Sequence, residues 1–217
     1  MKALNWLLEL LYPTRCVFCR RVTRDAVRVC PGCERSLPYT KGEQQKRKIA
    51  NVKSCVAPLY YEGSVRSALL RFKFEGAAAY GDVFGEFVSK CIDENEISCD
   101  IITWVPLSRK RLRKRGYDQA RLIAQAVARK QGIPCVPLLY KNRNNRAQAG
   151  TGSAEKRRAN VRGVYEAINP DYLRGARVLL VDDIVTTGAT LSECAKMLLL
   201  GGAGSVEAAA VARSRKS

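Results

Sequence analysis

The sequence predicts an α/β protein, a parallel sheet with helices on both faces behind a small cysteine-bound module, and three observations carry that expectation. Apolar strand-like runs alternate with helix-spaced segments through the last two-thirds of the 217 residues. Two Cys-x-x-Cys pairs lie close together near the start. One run, Val178 to Leu191, passes from apolar residues through two acids and a small hydroxylated turn into a helical pattern.

The cysteine pairs define the module. Cys16 and Cys19, then Cys30 and Cys33, each set two thiolates on a short turn, and together they close a tetrahedral zinc site. Pro31 and Gly32 in the second pair, and no apolar pattern long enough for a core, predict a small zinc ribbon that folds on its metal. Four thiolates leave no open coordination position, so the zinc is expected to be structural. The polar run Thr40 to Lys48 reads as a linker, which divides the chain into residues 1–50 (opening helix, ribbon and linker) and residues 51–217. Cys55, Cys91, Cys99, Cys135 and Cys194 read as packing residues.

Nine cysteines without a signal-peptide pattern predict a reducing, cytoplasmic setting. The apolar stretch Ala3 to Leu11, broken by Asn5 and Glu9, reads as a short helix ending before Pro13. A bilayer needs about 20 apolar residues, so no transmembrane segment is expected, with interfacial attachment as the alternative. Histidine is absent, which excludes Ser-His-Asp and Cys-His catalysis.

Periodicity then orders the larger part. Ser54 to Tyr61 reads as a strand, Gly63 to Phe74 as a helix, and Tyr80 to Ile92 as a second helix with Val83, Phe84, Phe87 and Val88 on one side. Asp100 to Val105 has the continuously apolar middle of a parallel strand covered on both faces. A basic loop, a helix over Tyr117 to Gln131 and a strand over Cys135 to Leu139 follow. Lys141 to Gly152 reads as a loop and Ser153 to Asn160 as an N-cap and helix start. Arg177 to Val181, Thr186 to Leu200 and Ser205 to Ala212 read as strand, helix and strand.

Charge adds a second signal. The chain carries a net +18, and the stretch Val105 to Arg162 holds sixteen Lys/Arg against Asp118 and Glu155 alone. The positive field is therefore local, and it attracts phosphates. A solvated charged face is the blander reading of any such run.

The run Val178 to Leu191 describes one ligand. Asp182 and Asp183 at the strand's carboxyl end can accept hydrogen bonds from vicinal sugar hydroxyls. Thr186, Thr187, Gly188, Ala189 and Thr190 open a helix whose unpaired N–H groups and positive dipole end suit a phosphate, with Gly188 permitting close backbone approach. Acid pair and turn are separated as the 2′,3′-hydroxyls and 5′-phosphate of one ribose are. This string resembles the signature of the type I phosphoribosyltransferases. Around it, the four cysteines, Tyr61-Glu62-Gly63, Phe72-Lys73-Phe74, Val105-Pro106-Leu107, Arg111, Arg115-Gly116-Tyr117, Gln148, Arg157 and Asn160 together resemble the ComF family over nearly the whole chain. Asp118 departs from that pattern, which has Asn there.

The resemblance implies a type I phosphoribosyltransferase-like fold and a place in natural competence, the handling of incoming single-stranded DNA. It places Ser108 and Arg109 at the diphosphate and makes Lys73, Arg115 and the loop Arg143 to Gln148 closing or phosphate-contacting groups. It implies Mg²⁺ held mainly by ligand oxygens. For nucleic acid the basic set is Arg111, Arg113, Lys114, Arg115, Arg143 and Arg146. Three functions stay open: phosphoribosyl transfer from phosphoribosyl diphosphate, single-stranded DNA binding by a catalytically silent relative, and docking of a competence helicase or recombination partner on the zinc ribbon.

Overall fold

The structure, a computed structural model, describes residues 13–23, 27–142 and 163–215. The expected opening helix, the loop beyond Asn142 with Arg143 and Arg146, and the helix start at Ser153 lie outside the described residues.

A short helix α1 (Pro31–Ser36) belongs to the cysteine module. The larger part runs β1 (Cys55–Val56), β2 (Leu59–Tyr60), α2 (Gly63–Phe74), α3 (Tyr80–Glu94), β3 (Ile101–Trp104), α4 (Arg109–Arg115), α5 (Gln119–Gln131), β4 (Leu139–Lys141), β5 (Tyr165–Ala167), β6 (Arg177–Val185), α6 (Ala189–Leu200) and β7 (Ser205–Arg213). The main sheet is parallel throughout, in the order β1-β7-β6-β3, with β2 also paired to β7. Residues alternate across β6. Leu179 and Val181 face α2, α3 and α5, whereas Val178 and Leu180 face α6 and the small antiparallel pair β4–β5. Both faces are covered, which is why these strands read as unbroken apolar runs.

Four local expectations change. Ser54 to Tyr61 is two short strands and not one, because Pro58 between them has no N–H to give the ladder. Cys135 pairs only as a single bridge to Ile102, and Pro137 then turns the chain out of the main sheet into β4. The basic stretch after Pro106 is the helix α4, not a loop. Ser108 caps it by accepting from the Arg111 N–H at 3.4 Å, Gly116 ends it at φ 80°, and Arg, Lys and Leu between are good helix formers. The run Thr40 to Lys48 is packed and not a free linker. It carries a 3₁₀ turn over Gly42–Gln45, Lys46 bridges to Val56, and buried Arg213 donates to the carbonyls of Gln44 and Lys46 at 2.6 and 2.7 Å.

Helices α3 and α5 cross closely through two glycines. A Cβ on Gly81 would stand 2.9 Å from the Leu122 Cβ, and one on Gly85 would collide with Ala126. Asp118 is the N-cap of α5, the helix that makes this contact. Among the described residues, no helix is long and apolar enough to cross a membrane.

Candidate functional site

The four module cysteines converge. Their sulfurs all lie within 4.8 Å of one another, and Cys19 and Cys30 are 3.7 Å apart. Zinc with bonds of about 2.3 Å holds tetrahedral sulfurs about 3.8 Å apart, so the donor set suits that ion. Burial raises the Cys16 thiol, but N–H groups of Cys19, Cys30 and Phe18 outweigh it and hold its pKa below the usual thiol value. Burial and the neighbouring sulfurs push Cys33 the other way. Four thiolates at this spacing therefore need a cation between them.

The acid pair lies near the end of β6, which continues past it to Val185. Strand alternation sends the two carboxylates to opposite faces. Asp183 points to the α2 side, where the Lys73 ammonium donates to its Oδ1 at 2.9 Å with side-chain exposures of 17% and 14%. Asp182 points to the α6 side, and its Oδ1 accepts the Asp183 N–H at 2.8 Å. Burial, followed by the charge of Asp183, raises the Asp182 pKa, opposed by that N–H and by Lys73.

Lys73 stands at the end of α2, and a ladder of contacts fixes that end. Phe72 O, one of the carbonyls a helix leaves free, accepts from the Tyr117 hydroxyl at 2.5 Å and from Gln119 Nε2 at 3.4 Å. Gln119 in turn accepts from Arg115 Nη1 at 2.8 Å, and the Arg115 guanidinium lies 5.0 Å from the Phe74 ring centroid. Arg115 is thus engaged in holding α2. Asp118, where the family pattern differs, caps α5 at the Arg121 N–H and accepts from the Leu107 N–H at 2.9 Å, joining α5 to the segment after β3. Burial raises its pKa despite those N–H groups.

The turn after β6 leads directly into α6. Gly188 is the N-cap at φ 77°, a conformation that favours glycine, and it has no side chain of its own to cap the helix. Thr187 Oγ1 accepts from the Ala189 N–H at 3.4 Å, while Thr186 is exposed and Thr187, Ala189 and Thr190 are half-buried. The close approach at Gly188 comes from within the chain. A Cβ there would meet Ile49 Cδ1 and Cγ1 at 2.9 Å, so the segment after the zinc ribbon packs on the turn.

Of the remaining expected residues, Ser108 is buried as the cap of α4, and Arg109 lies 5.5 Å from the Tyr140 ring centroid. Arg113 and Lys114 are exposed and Arg111 is half-buried on α4, a helix with no buried residue. Sequence reasoning missed Lys141 and Tyr165, which meet at 2.8 Å on β4 and β5. Burial, then the charge of Arg111, lowers the Lys141 pKa, and Asp182 lies near enough to oppose this. Their proximity arises from a hairpin-like pair that no local pattern announces.

Residues 118–217 match the model of the phosphoribosyl transferase domain, and residues 7–44 match that of the double zinc ribbon domain. Competence protein ComFC of Bacillus subtilis is 31% identical over 71% of this chain, and the chain spans 62% of that protein. The DNA utilization protein YhgH of Salmonella typhimurium is 29% identical over 88% of this chain and 87% of its own length. The chain belongs to the ComF-like family. Among solved structures, a glutamine phosphoribosylpyrophosphate amidotransferase from B. subtilis matches 61% of this ComF-like chain and 26% of its own, at 26% identity and a TM-score of 0.41. In this ComF-like chain, α2 and its Lys73 lie between the two matched regions, yet Lys73 is the residue that reaches Asp183.

Proposed function

We propose that this chain binds phosphoribosyl diphosphate with Mg²⁺ at the end of β6 and serves DNA uptake, with single-stranded DNA on the adjoining basic surface. One observation carries the reading: a Lys73-paired Asp183 beside Asp182, five residues before the Gly188 that opens α6. Asp182 and Asp183 accept from the ribose hydroxyls, and the Thr186 to Thr190 turn takes the 5′-phosphate. Lys73, Ser108 and Arg109 face the diphosphate. Mg²⁺ would neutralise the diphosphate, held mainly by ligand oxygens with Asp182 and Asp183 nearby. In phosphoribosyl transfer the anomeric carbon becomes cation-like as diphosphate leaves, so this chain's contribution is positioning and charge.

Calorimetric titration with phosphoribosyl diphosphate and Mg²⁺ tests this. Heat with wild type, lost in the Asp182→Ala/Asp183→Ala double variant, is the expected result; no heat with wild type removes the reading.

The DNA half is favoured by α4, whose Lys110, Arg113 and Lys114 are all exposed beside the site. Neutralising these three to Gln should lower the log–log salt slope of single-stranded DNA affinity by about 2. An unchanged slope would place the strand elsewhere. The Salmonella relative is a DNA utilization protein, which supports the same direction.

A further inference from the structure

The last turn of α2 touches both centres of this molecule. Arg71 Nη2 donates to the carbonyls of Val17 at 2.7 Å and Phe18 at 2.9 Å, the two residues between Cys16 and Cys19. Two positions on, Lys73 reaches Asp183 at 2.9 Å. At 100° per residue these side chains leave opposite sides of one helix, so a single turn spans the gap between the first zinc knuckle and the acid pair.

The intervening residues stiffen that turn. Phe72 is fully buried, packs on Phe84 at a ring distance of 5.3 Å, and its carbonyl takes the Tyr117 hydroxyl. Phe18 of the knuckle packs edge-on against Phe84 at 6.3 Å and Phe87 at 5.8 Å. The knuckle, α2 and α3 therefore share one aromatic core, and displacing the knuckle displaces the floor beneath α2.

Arg71 is placed at some cost. Its Nε is buried with no hydrogen-bond partner among the described residues, a condition rare enough in folded proteins to need a reason. A zinc ion with four thiolates has a formal charge of −2, and the guanidinium held on the knuckle carbonyls complements it. Groups in this outer position hold the metal's ligands in place and are felt at the metal.

The geometry points to Arg71 as a positioning residue that couples the zinc ribbon to the ribose-phosphate site, by fixing the turn of α2 that presents Lys73 to Asp183. Its functional half rests on the ribose-phosphate reading. The zinc ribbon then does more than cover the fold. It sets the register of a cation in the ligand site, from outside the segment matched to the phosphoribosyl transferase domain.

The test compares wild type with Arg71→Ala, Arg71→Lys and Cys19→Ser, in the full chain with zinc present. Three readouts are taken: zinc content, hydrogen exchange of peptides covering residues 70–75 and 180–185, and affinity for phosphoribosyl diphosphate with Mg²⁺. Arg71→Ala should keep its zinc under saturating metal, exchange faster at residues 70–75, and bind the ligand about tenfold more weakly, a typical coupling between sites. Cys19→Ser should give the same exchange signature by loosening the knuckle. Arg71→Lys, which keeps one charged donor, should recover part of the affinity.

Unchanged exchange at residues 70–75 in Arg71→Ala overturns the coupling, as does faster exchange with wild-type affinity. A change in melting temperature alone, with affinity intact, shows only a structural role and also overturns it. Should Arg71→Ala fail to fold, Arg71→Lys and Cys19→Ser decide the matter by the same two readouts. If wild type itself binds no ligand, the ribose-phosphate reading fails separately. Exchange at residues 180–185 then decides: faster exchange in the variants upholds the link from knuckle to acid pair, and no change rejects it.

Discussion

Stripping the metal with a strong chelator is expected to lower the melting temperature by more than 10 °C and to release zinc from the chain. Structural zinc contributes about 10–16 kcal/mol of apparent binding free energy in small four-ligand modules, and that free energy is folding free energy. Without the ion, the thiols Cys16, Cys30 and Cys33 stay buried beside one another with no shared partner. Val17, Phe18 and Leu37, each at most 5% exposed, then lose the frame that buries them. Because Phe18 packs on Phe84 and Phe87, the loss reaches α3, so a single cooperative melt should move and not merely a small early phase. Scanning fluorimetry with a colorimetric zinc readout checks both parts. A chelated protein that released zinc and kept its melting temperature would show the module to be independent of the rest.

Single substitutions in the acid pair should weaken phosphoribosyl diphosphate binding about 10- to 100-fold each, while shifting stability in opposite directions. A hydrogen bond to a charged group is worth about 1.5–3 kcal/mol, which corresponds to that range of affinity. Asp183→Asn removes the partner of the Lys73 ammonium, itself only 17% exposed, and should destabilise the free protein by about 1–2 kcal/mol. Asp182→Asn should do the reverse. Its pKa is raised by burial and by Asp183, so the folded state holds a proton that the unfolded chain has already lost. Stability therefore drains away as pH rises from about 4 through the folded value. Removing the ionisable group should raise the melting temperature above that of wild type at pH 8, with the gap closing near pH 4. Residual solvent contact of the carboxylate limits the gain to about 1 kcal/mol, or roughly 3 °C. Melts of both variants across pH, with ligand titrations at pH 8, check the pair. Equal stability of Asp182→Asn and wild type at pH 8 would contradict the assigned cost of that charge.

Much of the candidate site was legible because its chemistry is local in sequence. The two cysteine pairs, the β6 run into Asp182 and Asp183, and the turn ending at Gly188 each depend on residues a few positions apart, so spacing alone reveals them. The helix Gly63–Phe74 was equally plain, having apolar residues at helical intervals and a glycine at its start. The α4 helix was not, since a run of Arg and Lys with no buried face offers no periodicity to read, and its evidence lay in the Ser108 cap and the Gly116 stop.

Residue composition and spacing by themselves determined that this chain has a four-thiolate centre, a parallel α/β sheet and an acid pair followed by a helix start. Which distant groups serve them follows from helix and strand packing: Lys73 on Asp183 across 110 positions, Arg71 on the zinc knuckle across 53 and 54, and Ile49 against Gly188. The reason is physical. Spacing along the chain constrains neighbours within a strand or turn, whereas a charged side chain's partner is set by how helices pack, and packing joins residues whose separation leaves no pattern.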